Sequence, residues 1–322
     1  MKTKKTLKRV FLVCTVLILL LTMIYSGLRI LESTVLRQGQ DGASTYASKI
    51  ITRNGVNYYP RQDITVIMIL GIDEFGPVQA SKSYRNPGEA DMVALLILDR
   101  ADESYSLLCL NRDTMLEMPV LGLGGKQAGT YFGQLALAHT YGSGLEDSCE
   151  NIRTTVSNFL LGIPIDYYVA MNMDAISMLN DAVGGVTVTV SEDDSLPQGQ
   201  VTLYGQQALT FVRTRKDVGS QLNLSRMERQ RDYFNGFMKS LGEKLDSDLG
   251  FALNTYDQVS DYIVTDCSGT QISTLMDQCS DYRLKEIVSP EGENVLGEQF
   301  YEFYVDEEKL DELALRLFFV KR

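Results

Sequence analysis

The sequence has one histidine and no tryptophan among 322 residues, and its basic residues are outnumbered by acidic ones. Having only His139 excludes sites built from several histidines and leaves little room for a nucleophile–histidine triad. A lone histidine in an apolar stretch is expected to be packed rather than catalytic. Lysine and arginine total 30 against 42 acids, a net charge of -12. Such a chain repels polyanions, so nucleic-acid binding is excluded as a general function.

The five cysteines lack a zinc-binding pattern. Cys14 lies in an apolar segment, and the other four are separated by 40, 118 and 12 positions, which match no zinc-ligand signature. Cys109 stands in the apolar run SLLCL and is expected in the core. Pairing among Cys109, Cys149, Cys267 and Cys279 stays open, because an external compartment would permit disulfides.

Charge is absent from one long segment near the N-terminus. Residues 10–28 are 19 uncharged positions between Arg9 and Arg29. A helix of that length spans roughly 28 Å, enough to cross the hydrocarbon core of a bilayer. A cleaved signal peptide is the alternative, but its apolar region would be shorter and followed by a small-x-small cleavage site. We therefore predict an uncleaved single-pass membrane anchor.

Positive charge around this segment predicts its orientation. Five basic residues precede the segment, and only Arg29 and Arg37 follow it closely, which places the N-terminus in the cytoplasm. We divide the chain into a cytoplasmic basic tail (1–9), the anchor (10–28), a stalk (29–60) and an extracellular domain (61–322). The part after residue 29 holds 24 basic and 42 acidic groups, a net charge of -18.

Three apolar runs predict adjacent strands of a central sheet. They cover residues 63–73, 92–99 and 104–110, and their continuous hydrophobicity is typical of strands that are buried on both faces. The short turn RADE joins the second run to the third and predicts an antiparallel pair. Helical spacing over 145–161 and 225–245 alternates with further strand-like segments. This order predicts the α/β class, with an α/β/α sandwich around a mixed central sheet.

Acids and an arginine stand where these strands begin or end. If the second strand is antiparallel to both neighbours, Asp73, Asp91, Arg112 and Asp113 share one edge of the sheet. Two carboxylates such as Asp73 and Asp91 can hold a hard divalent cation, Mg²⁺ in particular. Aspartate at a strand end is also commonly a turn or helix cap, which is the alternative interpretation.

Cations concentrate in one later segment, where six of the 24 basic groups fall within 19 positions. They are Arg213, Arg215, Lys216, Arg226, Arg229 and Arg231. In an extended segment Arg213 and Arg215 point to one face, which suits a bidentate grip on phosphate oxygens. Arg226, Arg229 and Gln230 would add to it from the following helix. The alternative is a solvated basic surface, or salt bridges to the abundant acids. Carboxylates for a metal and arginines for phosphate together indicate a phosphoryl-transfer or pyrophosphate-binding site.

Eight segments in fixed order carry a resemblance to a known family. They are LGID, ADMVALLILD, LNRDTM, LALAHTYGSG, LLGIPIDYYVAMNMD, LNDAVGGVTVTV, ALTFVRTRKD and RMERQRDY. As an ensemble the chain from residue 63 to about 240 resembles the LytR-CpsA-Psr family of membrane-anchored enzymes. The resemblance implies an α/β/α fold with an apolar groove for a polyprenyl chain. It also implies Mg²⁺-dependent transfer of a phosphoglycan, such as teichoic acid or capsule, from a polyprenyl pyrophosphate carrier to peptidoglycan.

The resemblance assigns roles by position. Asp73 and Asp91 correspond to the metal-binding acids, and Asp113 matches a motif acid that positions Arg112 or acts as a base. The positions that correspond to pyrophosphate contacts are Arg112, Arg213, Arg215, Arg226 and Gln230.

Three positions depart from the family pattern. Glu89 stands where the family usually has arginine, Gln134 where it usually has lysine, and Phe75 where the first motif ends in arginine. Arg85 and Lys126 lie in nearby loops and are candidates to replace the missing cations. Two alternatives to transfer therefore stay open: a non-catalytic polyprenyl-pyrophosphate binding or regulatory protein of the cell envelope, and a pyrophosphate hydrolase.

Overall fold

The computed structural model describes residues 50–122, 125–190, 196–214, 222–248, 250–279 and 281–321. The predicted anchor over residues 10–28 and the predicted phosphate contact Arg215 lie outside the described residues. Within those ranges, no helix combines the length and the hydrophobicity that crossing a bilayer requires.

Strands and helices alternate along the described chain. The strands are β1 (Ile51–Arg53), β2 (Val56–Pro60), β3 (Ile64–Ile72), β4 (Ala90–Asp99), β5 (Ser104–Leu110), β6 (Met115–Leu121), β7 (Gln127–Gln134), β8 (Tyr167–Asn172), β9 (Val186–Val190), β10 (Gly199–Leu203), β11 (Ile263–Thr265), β12 (Arg283–Val288), β13 (Gly292–Leu296), β14 (Tyr301–Val305) and β15 (Phe319–Lys321). The α-helices are α1 (Glu146–Phe159), α2 (Met173–Ala182), α3 (Gln206–Arg213), α4 (Leu222–Ser247), α5 (Phe251–Val259), α6 (Gly269–Cys279) and α7 (Glu307–Phe318). Short 3-10 helices cover Leu135–Thr140 and Ser260–Tyr262.

A six-stranded mixed sheet lies at the centre, in the order β11-β8-β3-β4-β5-β12. Strand β4 is antiparallel to both β3 and β5, as the apolar runs predicted. The β3–β8 and β5–β12 pairs are parallel. The prediction of an α/β fold around a mixed sheet is confirmed. The end of β3, the start of β4 and the end of β5 therefore share one edge.

Helices cover both faces of this sheet. Leu95 of β4 packs on one face in a core that includes Ile152 of α1 and Leu317 of α7. The next residue, Ala94, points to the opposite face, where its core cluster includes Met227 of α4. Because successive side chains of a strand alternate between faces, both sets of positions must be apolar. This explains why β3, β4 and β5 appear in the sequence as unbroken hydrophobic runs.

Residues 51–60, within the predicted stalk, form strands in the structure. Strand β1 pairs with β2, and β2 pairs with the C-terminal strand β15, with Tyr59 opposite Val320. These strands are three to five residues long, and only β2 is hydrogen-bonded to the far end of the chain. The folded part of the chain therefore begins before residue 61.

The segment that ends at Arg213 is helical, so the predicted extended conformation at this residue is wrong. Helix α3 buries Ala208, Leu209, Phe211 and Val212. Spacings of three and four residues place these side chains on one helical face against the core of β9 and β10. Arg213 is the last residue of that helix, and Thr214 leaves the helical conformation.

The four cysteines outside the anchor segment are free thiols in the described structure. Cys109 is buried in the apolar layer beneath α4, which confirms the core prediction. Burial raises the pKa of the Cys109 thiol to about 11 and that of the Cys267 thiol to about 12. Both thiols are therefore protonated near neutral pH and behave as small core side chains.

We expect two leucines, one in the central sheet and one on an exposed strand, to contribute differently to the free energy of unfolding. Leu95 is fully buried, whereas Leu296 on β13 is 69% exposed. Leu95→Ala should lower the free energy of unfolding by about 2–5 kcal/mol, because it removes buried methyl groups and leaves a cavity. Leu296→Ala should change it by less than about 0.5 kcal/mol. Urea denaturation of both variants tests this, and equal losses would contradict the assigned core.

Candidate active site

Asp73 and Asp91 lie on neighbouring strands at the shared edge. The backbone N–H of Asp73 donates to the carbonyl oxygen of Glu89 at 3.0 Å. The β3–β4 register shifts at this point, since Gly71 pairs with Met92 and Ile72 pairs with Ala90. Asp91 is thus the extra residue of a β-bulge. Bulges are common beside active sites because they redirect a side chain away from the regular alternation of the strand.

The Arg112 guanidinium lies among three carboxylates. Its Nη1 donates to Oδ1 of Asp91, and its Nη2 donates to Oε2 of Glu89 at 2.5 Å. Its Nε lies 3.4 Å from Oδ1 of Asp113. The Arg112 side chain is 13% exposed, so this charged group is largely removed from water. One buried cation is therefore shared by three acids.

Backbone contacts hold the loop that carries Arg112. The Asp113 N–H donates to Oδ1 of Asn111 at 3.0 Å, which closes a tight turn directly after β5. The Phe303 N–H of β14 donates to the Asp113 carbonyl oxygen at 2.9 Å. The Ala136 N–H of the first 3-10 helix donates to the Arg112 carbonyl oxygen at 3.0 Å. The turn is therefore anchored from both sides, which fixes the direction of the arginine.

Two further arginines, from distant parts of the chain, contact Asp73 and Asp91. Nη1 of Arg226 donates to Oδ2 of Asp91 at 3.3 Å, and the Arg226 side chain is only 3% exposed. Nη2 of Arg213 donates to Oδ1 of Asp73 at 3.0 Å, with both side chains about two-fifths exposed. Arg229 is also buried, and its guanidinium lies over the Phe211 ring. Arg226 and Arg229 are therefore not on a solvated surface, whereas the ion pairs of Arg213 and Arg226 agree with the alternative of salt bridges to acids.

Gln230 lies one turn beyond Arg226 on α4. With Asp91, Arg112 and Met227 it lines a cavity of about 10 Å³, room for about one water molecule. The rest of the lining is mostly apolar and comes from β4 and β5. The charged cluster therefore lies at the end of the apolar layer between the sheet and α4.

Most of the residues singled out in the sequence meet at this edge. The described members of this acid–arginine cluster, which also contains Glu89, are Asp73, Asp91, Arg112, Asp113, Arg213, Arg226 and Gln230. Within the described ranges it combines four carboxylates with three guanidinium groups. Arg215 lies outside the described residues. The structure shows that these groups converge, and their roles toward a ligand remain predictions.

Two of the departures from the family pattern also contact the cluster. The Gln134 side-chain amide donates to Oδ1 of Asp113 at 3.3 Å and to the Tyr301 carbonyl oxygen at 2.9 Å. The Phe75 ring centroid lies 5.5 Å from the guanidinium carbon of Arg213, a cation–π distance. Both residues occupy positions where the family pattern places a cation, and both contact a member of the cluster instead.

Glu89 is the contact that sequence reasoning missed. It was noted only as a missing arginine, yet it binds Arg112 directly. Glu89 lies just before β4, and the bulge at Asp91 breaks the alternation of side chains there, so strand spacing did not reveal the contact. Glu89 and Asp91 share Arg112 as a partner.

The candidate replacement cations have other contacts. The Arg85 guanidinium carbon lies 5.7 Å from the Tyr141 ring centroid. Lys126 lies in the exposed turn between β6 and β7, where its carbonyl oxygen accepts from the Gly122 N–H. Neither contact involves a member of the acid–arginine cluster.

His139 is packed, as expected. It is 1% exposed, and its Nδ1 lies 2.7 Å from the Gly88 carbonyl oxygen. A carbonyl oxygen only accepts hydrogen bonds, so Nδ1 carries the proton of the neutral ring. Burial lowers the pKa of His139, which favours this neutral form. The ring also forms part of the wall of a larger cavity of about 400 Å³ beside the loop that follows β3.

The donor atoms fit a metal that is shared with a ligand. Carboxylate oxygens are the ligands Mg²⁺ prefers, and in phosphate-binding sites one or two of them suffice beside phosphate oxygens. Across the described ranges, no group of three or more histidine, cysteine or acidic side chains is arranged to hold an ion alone. Asp73 and Asp91 could therefore hold a metal together with other oxygen ligands, such as water or the oxygens of a bound anion.

The mixed sheet, its helical layers and the acid–arginine cluster define an α/β protein with a candidate anion-binding site at one sheet edge. A model of the LytR_cpsA_psr family matches residues 33–318, and the chain belongs to this family.

Relatives and solved structures agree with this assignment. The chain is 30% identical over 228 residues to the polyisoprenyl-teichoic acid–peptidoglycan teichoic acid transferase TagU of Halalkalibacterium halodurans, covering 69% of this chain and 66% of that relative. The crystal structure of B. subtilis TagV matches with a TM-score of 0.63 at 23% identity, covering 80% of this chain and 96% of that one. A structure of TagT bound to LI-WTA matches with a TM-score of 0.60 at 22% identity, covering 80% and 90%. At these identities the structural matches show a common fold.

Arg226 is buried and Arg213 is exposed, so we expect their substitution to change the free energy of unfolding by different amounts. Arg226→Met should lower the free energy of unfolding by about 2–4 kcal/mol, because it removes a buried cation from a cluster already rich in acids. Arg213→Met should lower it by less than about 1 kcal/mol, since its pair with Asp73 is exposed to water. Chemical denaturation at equal salt compares the two variants. A larger loss for Arg213→Met would contradict the burial assigned here.

His139 predicts a pH dependence of stability. Because burial lowers the pKa of the folded-state ring, the unfolded chain takes up a proton below about pH 6.5 while the folded chain resists it. Stability from this group is present above that pH and falls as pH is lowered, by about 1.4 kcal/mol for each unit between the two pKa values. His139→Asn retains a donor for Gly88 but does not titrate. Denaturation at about pH 7.5 and 5.5 should show a smaller loss in the variant, and equal losses would contradict the prediction.

Proposed function

We propose that this protein transfers a phosphoglycan from a polyprenyl pyrophosphate carrier to peptidoglycan. The observation that carries the proposal is the position of the acid–arginine cluster at the end of an apolar layer between the sheet and α4. A polyprenyl pyrophosphate has the matching chemistry, an anionic head joined to a long apolar chain. Membership of the family and the name of the TagU relative support the same function.

The apolar layer is the proposed site for the polyprenyl chain. Met227 and Phe234 of α4 pack there against Ala94, Leu107 and Cys109 of the sheet. The cavity at its polar end holds only about 10 Å³, so a lipid chain would enter by separating side chains of α4 from those of β4 and β5. The free energy of burying the lipid would offset the loss of these contacts.

The cluster supports binding of the pyrophosphate head. Arg112, Arg213 and Arg226 would redirect guanidinium N–H groups from acids to phosphate oxygens, as charge-assisted hydrogen bonds. Arg215 and Gln230 are proposed as further contacts on the family pattern. Asp73 and Asp91 would hold Mg²⁺, which supplies further neutralisation of phosphate charge when it is bound.

The proposed reaction breaks one P–O bond and forms another. A hydroxyl of peptidoglycan attacks the glycan-linked phosphorus, its oxygen forms the new P–O bond, and polyprenyl phosphate leaves with the electron pair of the old one. The hydroxyl proton passes to a base. Asp113 already accepts a hydrogen bond from Gln134 and neighbours Nε of Arg112, which supports a role in positioning Arg112.

The proposed location follows from the substrates and the predicted anchor. A single-pass span over residues 10–28 would hold the extracellular domain beside the membrane in which polyprenyl carriers reside. This topology rests on the uncharged segment and on the excess of basic residues that precede it.

A non-catalytic lipid-pyrophosphate binder is the second candidate. The observation that favours it is that Glu89, Gln134 and Phe75 contact the cluster at positions where the family pattern places cations. Each missing charged contact is worth about 1.5–3 kcal/mol, so their joint loss would slow transfer strongly. Hydrolysis of the pyrophosphate is the third outcome that an assay must separate.

The test uses the full-length protein in liposomes with a polyprenyl pyrophosphate-linked glycan and Mg²⁺, with and without peptidoglycan. We expect release of polyprenyl phosphate that depends on peptidoglycan, measured by mass spectrometry. Asp91→Asn should slow it about 10- to 100-fold, because it removes one charged contact at the reacting group. The matched control is Asp257→Asn on the exposed side of α5, which should leave the rate unchanged.

Other outcomes would overturn the proposal in distinct ways. Release without acceptor would show a hydrolase, and binding without release would show a binding protein. Full activity of Asp91→Asn would show that this acid does not take part in the reaction.

A further inference from the structure

All three nitrogens of the Arg112 guanidinium lie close to carboxylate oxygens. Its two terminal nitrogens donate to Asp91 and Glu89, and Nε faces Asp113. A guanidinium presents a planar fork with a limited number of N–H groups, and it binds an oxyanion best when two of them are free to point at it. These acids take one N–H of each terminal nitrogen, so an anion that binds Arg112 through those same two N–H groups displaces Asp91 or Glu89.

Exposure separates the three carboxylates. The Asp91 and Asp113 side chains are 12% and 15% exposed, whereas the Glu89 side chain is 40% exposed. An ion pair in contact with water contributes little, because solvent can replace the partner of each ion. When a buried partner turns away, it leaves an uncompensated charge in the interior, which costs much more free energy. The Nη2–Glu89 contact is therefore the one that opens at least cost.

The backbone of Glu89 keeps its carboxylate close even when this contact opens. Its carbonyl oxygen accepts from the Asp73 N–H at 3.0 Å, so the residue is tied to the edge that carries Asp73 and Asp91. Only the side chain can turn away. A displaced Glu89 thus remains a negative charge beside the anion that replaced it.

We propose that Glu89 competes with the anionic ligand for Arg112. In the free protein it accepts one N–H of Nη2, and it turns outward when a diphosphate oxygen takes that N–H. Glu89 is in this sense a positioning residue that acts through Arg112 and sets how tightly the site holds a diphosphate. The inference deepens the proposed function, since it concerns the head group that the same site would bind.

The first test measures binding of inorganic diphosphate by calorimetry, without metal, to the full-length protein in detergent. Glu89→Gln retains the size of the side chain and removes its charge. We expect it to bind diphosphate about 3- to 10-fold more tightly than the wild type, as expected for removal of one solvent-exposed competing charge. The matched control is Glu293→Gln on the exposed strand β13, which removes the same charge at another place and should change the affinity little. Affinity of Glu89→Gln that is equal to or weaker than that of the wild type would overturn the proposal.

A double-mutant cycle tests whether Arg112 mediates the effect. The gain from Glu89→Gln should vanish in an Arg112→Gln background, because Glu89 then has no shared partner to release. A gain of the same size in that background would show general repulsion between Glu89 and the anion, which would overturn the assigned route.

The transfer assay provides an independent readout. If the protein is a transferase, Glu89→Gln should lower KM for the polyprenyl pyrophosphate donor by about the same factor as the binding constant, and an unchanged KM would contradict the inference. If no transfer occurs in the wild type, the proposed function fails, while the diphosphate titration still decides the role of Glu89.

Discussion

The contact between Asp91 and two arginines is the interaction on which the rest of the site depends. One oxygen of this carboxylate accepts from Arg112 of the loop after β5, and the other accepts from Arg226 of α4. All three side chains are at most 13% exposed, so each charge requires the others for compensation in a medium that solvates ions poorly. This triad joins the sheet edge, the Arg112 turn and the helix above the apolar layer. An anion that binds these arginines would have to replace the Asp91 carboxylate as their hydrogen-bond acceptor.

Backbone geometry, together with one turn closed by a side chain, positions the charged groups of the site. A bulge at Asp91 breaks the regular alternation of β4, and an Asn111 turn anchored to β14 and the 3-10 helix presents Arg112. Helix α4 then brings Arg226 and Gln230 to one end of the layer that its apolar face forms on the sheet. This geometry thus places charged groups at one end of a packed apolar layer, the feature on which the proposed binding of an amphiphilic diphosphate rests.

Elements with a strong local signal were predicted well. Strands β3, β4 and β5 are long apolar runs, and α4 repeats apolar residues at helical spacing, so each could be assigned without knowing its partners. The short strands over 51–60 fall in the predicted stalk because three to five residues carry little pattern, and the partner of β2 on its other side is the distant strand β15. Arg213 was placed in an extended segment, although the four buried residues before it have helical spacing.

Residue order alone determined that acids follow or begin the central strands and that arginines concentrate after residue 212. The resemblance to the family implied that cations are missing at Glu89, Gln134 and Phe75. Antiparallel pairing then required the strand-end groups to share an edge, which allowed Asp73, Asp91 and Arg112 to be placed together. Only the tertiary structure decided that Glu89 binds Arg112, Gln134 binds Asp113 and Phe75 packs on Arg213. These contacts join residues that are 21 to 138 positions apart and lie in separate loops, a strand and a helix, so they form only when the whole chain is folded.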